Sequence, residues 1–444
     1  MDRKKIGMLL RKKRKESGLR QKDLADRQIS PATISSIERG IENVHPDKIE
    51  YLAGKLGVDL EDSPALCNRE QQQEELFLLR LRSIEHDIDL NHPNRGLARL
   101  REIDLKGYEQ HAYYIHYLKA KAYFRKDNRK KAKSHFVQAI DLIDKTNLFE
   151  TNIKANSYND LARISYYENN MKGALEYTEQ GLKSFVEGGD REVSQHYLQM
   201  TKAICLEKLD RLDEAKKSIE LLMEQQNSIK SIDVILNMYE TYASILKKQQ
   251  QFNEAIRYAM EGIEIAKINK KHDRLLDLWT ILASIYHKLK EFEKAEICFF
   301  TALDLKDEVT KLKKENLLID TYAEQGTMYL TQGKYDLAKK ALEEAVRIGD
   351  KTKDARRTIR ALVSLGDFYL QQHMPREAVL HLEKALKLTE KHGFEIQELD
   401  VLFRLCQCYK ETDLIKFNRS IERKFELEVQ LQRKGVLNYD AISQ

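Results

Sequence analysis

The stretch ARISYYENNMKGALEYTEQG, residues 162–181, holds two small residues twelve positions apart, Ala162 and Ala174, and a third, Gly181, seven positions further on. A short polar turn separates the first two, with apolar and aromatic side chains at helical spacing on either side. Two helices that cross closely need small side chains where their backbones meet. The layout recurs. The Ala after each polar turn gives Ala132, Ala174, Ala215, Ala255, Ala295, Ala338 and Ala378. Twelve positions earlier stand Ala120, Ala162, Ala203, Ala243, Ala283, Gly326 and Gly366, and seven positions later Ala139, Gly181, Leu222, Gly262, Ala302, Ala345 and Ala385. Tyr123, Tyr286, Tyr329 and Tyr369 are placed to fill the space between the helices.

This pattern resembles the tetratricopeptide repeat, a pair of antiparallel helices stacked into an array. The steps between aligned alanines are 42, 41, 40, 40, 43 and 40 residues, longer than the usual period of about 34. The lengthening is similar to that of the RRNPP regulators of Gram-positive bacteria, the group of PlcR, NprR and Rap. Residues 73–105, with Ala98, read as a degenerate first pair, and 395–444 as a final pair and cap. The expected fold is all-α, with a right-handed repeat superhelix over residues 73–444.

Composition agrees. The 444 residues include 5 Pro and 18 Gly, with 76 Lys and Arg against 71 Asp and Glu, so helices are favoured throughout. No apolar run of about 18 residues exists to cross a bilayer, and no early apolar run of signal-peptide type appears. A cytoplasmic protein without membrane contact is expected. Five scattered cysteines, an odd number, argue against a disulfide framework. Residues 1–22 hold ten basic and two acidic side chains, a net +8 of the overall +5, which leaves −3 for the remainder. Positive charge gathered at one end suits a polyanionic partner.

That end reads as four short helices. Ile6, Leu9 and Leu10 give the first an apolar stripe, and a second starts near Gln21. Ser30 and Pro31 open a third, as N-cap and first helical residue. Pro46 opens a fourth, and the unit as a whole reads as a helix-turn-helix. The segments IGMLLRKKRKESGLRQKDLA (6–25), ISPATISSIERG (29–40) and IEYLAGKLGV (49–58) resemble the XRE/Cro-type helix-turn-helix family. The turn DRQIS lacks the family's usual Gly and is one residue short, which is similar to regulators of the PlcR and Rgg type. The resemblance places the third helix in the major groove. It implies base contact by Pro31, Ala32, Thr33, Ser35 and Ser36, and phosphate contact by Gln21, Lys22, Arg39 and Asn43. It also implies that Glu38 pairs with Arg14 to hold the domain together. Residues 1–62 are thus the expected DNA-binding domain, and 63–72 the expected linker.

In the repeats, the resemblance implies that the first helix of each pair lines the concave face. Asn156, Asn159, Asp160 and Arg163 share one helix face, as do Asn237, Glu240, Thr241 and Ser244 two pairs later, with Tyr197 and Thr201 between. Side-chain amides bond both N–H and C=O of an extended peptide, and Arg163 suits its carboxylate. The resemblance therefore implies a cytoplasmic quorum-sensing transcription regulator. It would be a homodimer on operator DNA, controlled by a short signalling peptide in the groove. The alternative is a Rap/NprR-like protein that binds a sporulation response regulator and alters its phosphorylation. No phosphate-loop, dinucleotide, zincin or nucleophile-elbow motif occurs. No catalytic residue, cofactor or metal is expected, and His111 and His116 read as ordinary packing and surface.

Overall fold

The computed structural model describes residues 3–41, 44–58, 63–168, 170–410 and 412–433. Every regular element among them is helical. The chain divides into two compact units, Met1–Leu142 and Ile143–Gln444.

The first unit opens with α1 (Arg3–Glu16), α2 (Gln21–Leu24), α3 (Pro31–Glu38) and α4 (Pro46–Lys55). Leu9, Leu10, Ile34, Ile37, Leu52 and Ala53 form their shared core. Gly7 lets α1 cross the end of α3: a Cβ there would lie 2.2 Å from the Ile37 carbonyl oxygen. Ser30 caps α3 as expected, its Oγ accepting from the Thr33 N–H at 3.1 Å. The short turn needs no glycine because Asp26 organises it. The Asp26 Oδ1 accepts from the Gln28 and Ile29 N–H groups at 2.7 and 3.0 Å. Its other oxygen takes the Tyr51 hydroxyl at 2.7 Å and the Lys55 ammonium, and no residue from Asp26 to Ser30 has a positive φ.

Residues 63–72, expected as a linker, belong to a continuous helix, α5 (Ser63–Asp89). Pro64 is tolerated in its first turn, and neither Gly nor Pro follows until Pro93. The compact division falls at 142/143 rather than near residue 62, because α6 (Pro93–Arg101) and α7 (Ala112–Arg125) pack with α5. This is the expected degenerate first pair, closed by Gly96 against Ile88. The break lies within α8 (Arg129–Thr146).

The second unit is an array of helix pairs. Its inner layer is α9 (Ile153–Tyr167), α11 (Val193–Lys208), α13 (Ile232–Lys248), α15 (His272–Lys288), α18 (Leu318–Thr331), α20 (Ala355–Gln371) and α22 (Glu395–Tyr409). The partners are α10 (Met171–Ser184), α12 (Leu212–Glu224), α14 (Phe252–Ile268), α16 (Phe292–Leu303), α19 (Tyr335–Thr352), α21 (Pro375–His392) and α23 (Leu414–Arg433). The extra helix α17 (Lys306–Lys311) lies between α16 and α18 and accounts for the 43-residue step. The 40-residue steps arise from longer helices: α13, α14 and α15 each have 17 residues.

The small residues stand where pairs touch. A Cβ on Gly326 would lie 2.6 Å from Leu342 Cγ, and one on Gly366 2.7 Å from Leu382 Cδ2. The turns repeat a second device. Five residues before the aligned Ala, Asp127, Asp210, Gln250, Lys290, Gly333 and His373 have φ of 55–71°. The next N–H then reaches back five residues, as in Glu291 to the Tyr286 carbonyl at 2.9 Å, the Schellman arrangement. Cys205, Cys298 and Cys408 pack in the core as free thiols.

Candidate DNA-binding face and ligand groove

On α3, Pro31 and Ala32 are exposed, and Thr33, Ser35 and Ser36 partly so. The Ser36 hydroxyl donates to the Ala32 carbonyl at 3.0 Å, which leaves its oxygen free to accept. The Thr33 hydroxyl lies 2.8 Å from Ser30 Oγ. Lys22 and Arg39 are exposed, and Arg39 Nε donates to the Ser35 carbonyl at 3.3 Å. Asn43 lies outside the described residues. Gln21 has a task the sequence did not disclose: its amide donates to Glu38 Oε2 at 2.8 Å.

Beneath this face Arg14 and Glu38 pair as the resemblance implied. Arg14 Nε and a terminal nitrogen reach the two carboxylate oxygens at 2.6 and 3.0 Å. Burial pushes the Glu38 carboxyl up, but the hydrogen bonds from Arg14 and Gln21 outweigh it and hold the group below the usual carboxylate range.

In the second unit the named groove residues fall into two sets. Asn159 and Thr201 are bonded to each other, the hydroxyl donating to Asn159 Oδ1 at 2.9 Å. Asp160 holds Arg163 at 2.9 Å, Glu240 holds Arg274 at 2.9 Å, and the Tyr197 hydroxyl meets Ser231 Oγ at 2.9 Å. Among the described residues, Asn156, Asn237, Thr241 and Ser244 make no side-chain hydrogen bond. Their amides and hydroxyls remain available to a ligand.

The structure adds residues not anticipated. Asp277, Asp320 and Arg360 stand six positions before Ala283, Gly326 and Gly366, in the register of Asn156, Tyr197 and Asn237. That shared register was the signal that would have found them. Arg357 and Arg360 reach Asp320 at 2.8 and 3.1 Å. Asp277 forms no ion pair among the described residues. Burial and the Glu240 charge raise its carboxyl well above the usual range, against the pull of Arg274 and Arg357. Arg356 lies 5.0 Å over the Tyr166 ring, so α9 and α20 touch across the face that the inner helices share.

His111 is buried, with Nε2 2.7 Å from Glu74, and His116 meets His135 at 3.1 Å. Among the described residues no group of three or more His, Cys, Asp or Glu is arranged to hold a metal, and no helix is long and apolar enough to cross a membrane.

Comparison with known proteins agrees with this architecture. A helix-turn-helix family model matches residues 10–63. Tetratricopeptide-repeat models match 113–146, 236–269, 276–308 and 317–391. No curated protein matches the sequence. Among solved structures, a Rap protein complexed with Competence and Sporulation Factor is 12% identical, with a TM-score of 0.55 over 81% of this chain and 99% of that one. The apo quorum sensor NprR from B. thuringiensis is 17% identical, with a TM-score of 0.54 over 81% and 99%. Aspartyl phosphate phosphatase F from Bacillus subtilis is 14% identical, with a TM-score of 0.52 over 79% and 90%. The chain joins a helix-turn-helix domain to tetratricopeptide repeats in the fold of the Rap and NprR proteins, in keeping with the RRNPP group that its sequence resembles.

Proposed function

We propose that the chain is a cytoplasmic transcription regulator that binds operator DNA as a homodimer, under control of a short signalling peptide held along the inner helices. The observation that carries this reading is the pairing of two surfaces in one chain. One is an exposed α3 face of small polar residues in a net-positive head, and the other is an inner layer with unspent amides and hydroxyls at Asn156, Asn237, Thr241 and Ser244. The Rap structure of similar fold holds a peptide factor, and NprR of similar fold is described as a quorum sensor.

Pro31, Ala32, Thr33, Ser35 and Ser36 meet base edges in this reading, with Lys22, Arg39 and Asn43 on phosphate. Gln21 takes part through its remaining N–H while it braces Glu38. Asn159, Asp160, Arg163, Tyr197, Thr201 and Glu240 line the ligand's path in their paired state. Ligand binding shifts the balance between DNA-competent and incompetent arrangements.

The test is fluorescence anisotropy on a duplex selected by the protein and on random duplex across a salt series. Lys22→Ala weakens both and flattens the salt slope by about one contact, whereas Ser36→Ala alters only the preference between them. Equal effects of both variants on both duplexes refute the assignment of α3. A second reading, binding of a sporulation response regulator, draws on the fold shared with aspartyl phosphate phosphatase F. It requires that a receiver domain bind the full chain without DNA.

A further inference from the structure

Most cations on the inner face are already neutralised. Arg163 is held by Asp160, Arg274 by Glu240, Arg357 and Arg360 by Asp320, Arg404 by Asp367, and Lys248 by Glu207 at 2.6 Å. Arg163, the residue the sequence offered for a peptide carboxylate, is therefore committed. Lys247 is not. Its part-buried ammonium forms no ion pair among the described residues. It donates to Ser284 Oγ at 3.2 Å, and that hydroxyl donates onward to Glu324 Oε2 at 3.3 Å.

The charges around Lys247 come from four inner helices. Burial lowers the ammonium's proton affinity, the Glu324 charge opposes this, and Lys288, Arg360 and Lys248 reinforce it. Among the charges that act on Lys247, Glu324 is the one carboxylate, while Lys288 is exposed and Lys248 and Arg360 are already paired. Glu324 thus reaches Lys247 only through the Ser284 hydroxyl, and a desolvated ammonium is stabilised when an anion meets it directly. Arg360 is half exposed on its side chain, at 53%, and is free to swing toward an incoming anion while Arg357 keeps Asp320.

Position along α13 adds a length. Asn237, Glu240, Thr241, Ser244 and Lys247 follow one another at spacings of three, one, three and three along one side of the helix. Asn237 and Lys247 are ten residues apart, about 15 Å along the axis. An extended chain covers that distance in about four to five residues.

We propose that Lys247, with Ser284 and Arg360, is the receptor for a carboxylate of the groove's ligand, so that a peptide bonded through its backbone at Asn237 ends at Lys247. This rests on the peptide-binding reading above. Two sources supply such a carboxylate, a free C-terminus or an acidic side chain, and the experiment separates them.

The full-length protein is incubated with three random pentapeptide libraries. The first has free C-termini and no Asp or Glu, the second is the same library amidated, and the third is amidated but contains Asp and Glu. Peptides retained on ultrafiltration are read by mass spectrometry. The expected result is at least tenfold greater retention of the first library than the second. Lys247→Met abolishes that excess and Lys247→Arg restores it, with hydrogen exchange of α13 confirming that both variants are folded. Retention of the third library that depends on Lys247 also supports the receptor and assigns the carboxylate to a side chain. Equal retention of the first two libraries with no Lys247-dependent retention of the third, or an excess that survives Lys247→Met, overturns the receptor while leaving peptide binding intact. Retention of none of the libraries overturns the peptide reading itself, and the receptor with it.

Discussion

Replacing Glu38 by Ala tests how the head is held. The carboxylate is 3% exposed and receives Arg14 through two bonds of 2.6 and 3.0 Å and Gln21 through a third of 2.8 Å. Its removal leaves the Arg14 guanidinium, itself 11% exposed, with only the Leu19 carbonyl at 2.7 Å. Breaking a buried pair from one side costs about 3–5 kcal/mol. A head of fewer than sixty residues is stable by only about 3–9 kcal/mol, so the loss is a large part of the whole. At about 1.4 kcal/mol per tenfold, a loss of about 4 kcal/mol raises opening of the head by roughly a thousandfold. Hydrogen exchange at Leu10, Ile34 and Leu52, whose side chains are fully buried, reads this directly, with α13 and α15 as an internal reference. Protection in α1 and α3 within tenfold of the parent would refute the reasoning. Replacing both partners with Met restores most of the protection, because no charge is then stranded. In the parent the Glu38 carboxyl is depressed in the folded state, so its contribution is complete above the unfolded value near 4.5 and is lost as pH falls through the folded one.

Three further outcomes are expected. Lys290→Gly stabilises the second unit by about 0.5–1 kcal/mol, since Lys290 sits at φ 61° where a Cβ is strained; an unchanged or lower thermal midpoint contradicts this. Asp277→Asn raises the midpoint at neutral pH, and the advantage shrinks on acidification. The folded carboxyl is raised, so parent stability falls as pH climbs from the unfolded value through the folded one. An advantage that does not change with pH counts against a charged cost at that site. Arg356→Ala removes stacking on Tyr166 and Phe394, at 5.0 and 5.7 Å. It costs about 0.5–2 kcal/mol and increases exchange where α9 meets α20; equal exchange in both proteins removes the bridge from the account.

The repeat register was legible because it is a backbone property: close approach at Gly326 and Gly366 admits nothing larger than these positions hold. Ser30 and Pro31 announced α3 by local chemistry for the same reason. What sequence could not show was which side chains spend their hydrogen bonds on one another. Asn159 faces Thr201, and Gln21 faces Glu38, because of which helix stands opposite, and spacing within a single helix carries no such information. The helical start of α5 was missed because a polar run with one early Pro suits a first helical turn as well as a linker.

The most direct test of the central claim is selection of DNA by the full-length protein from sheared genomic fragments of its source, with and without peptides encoded beside its gene. A repeated half-site is expected to be enriched, with a peptide strengthening or abolishing its recovery. Failure to enrich any site under either condition would contradict the claim.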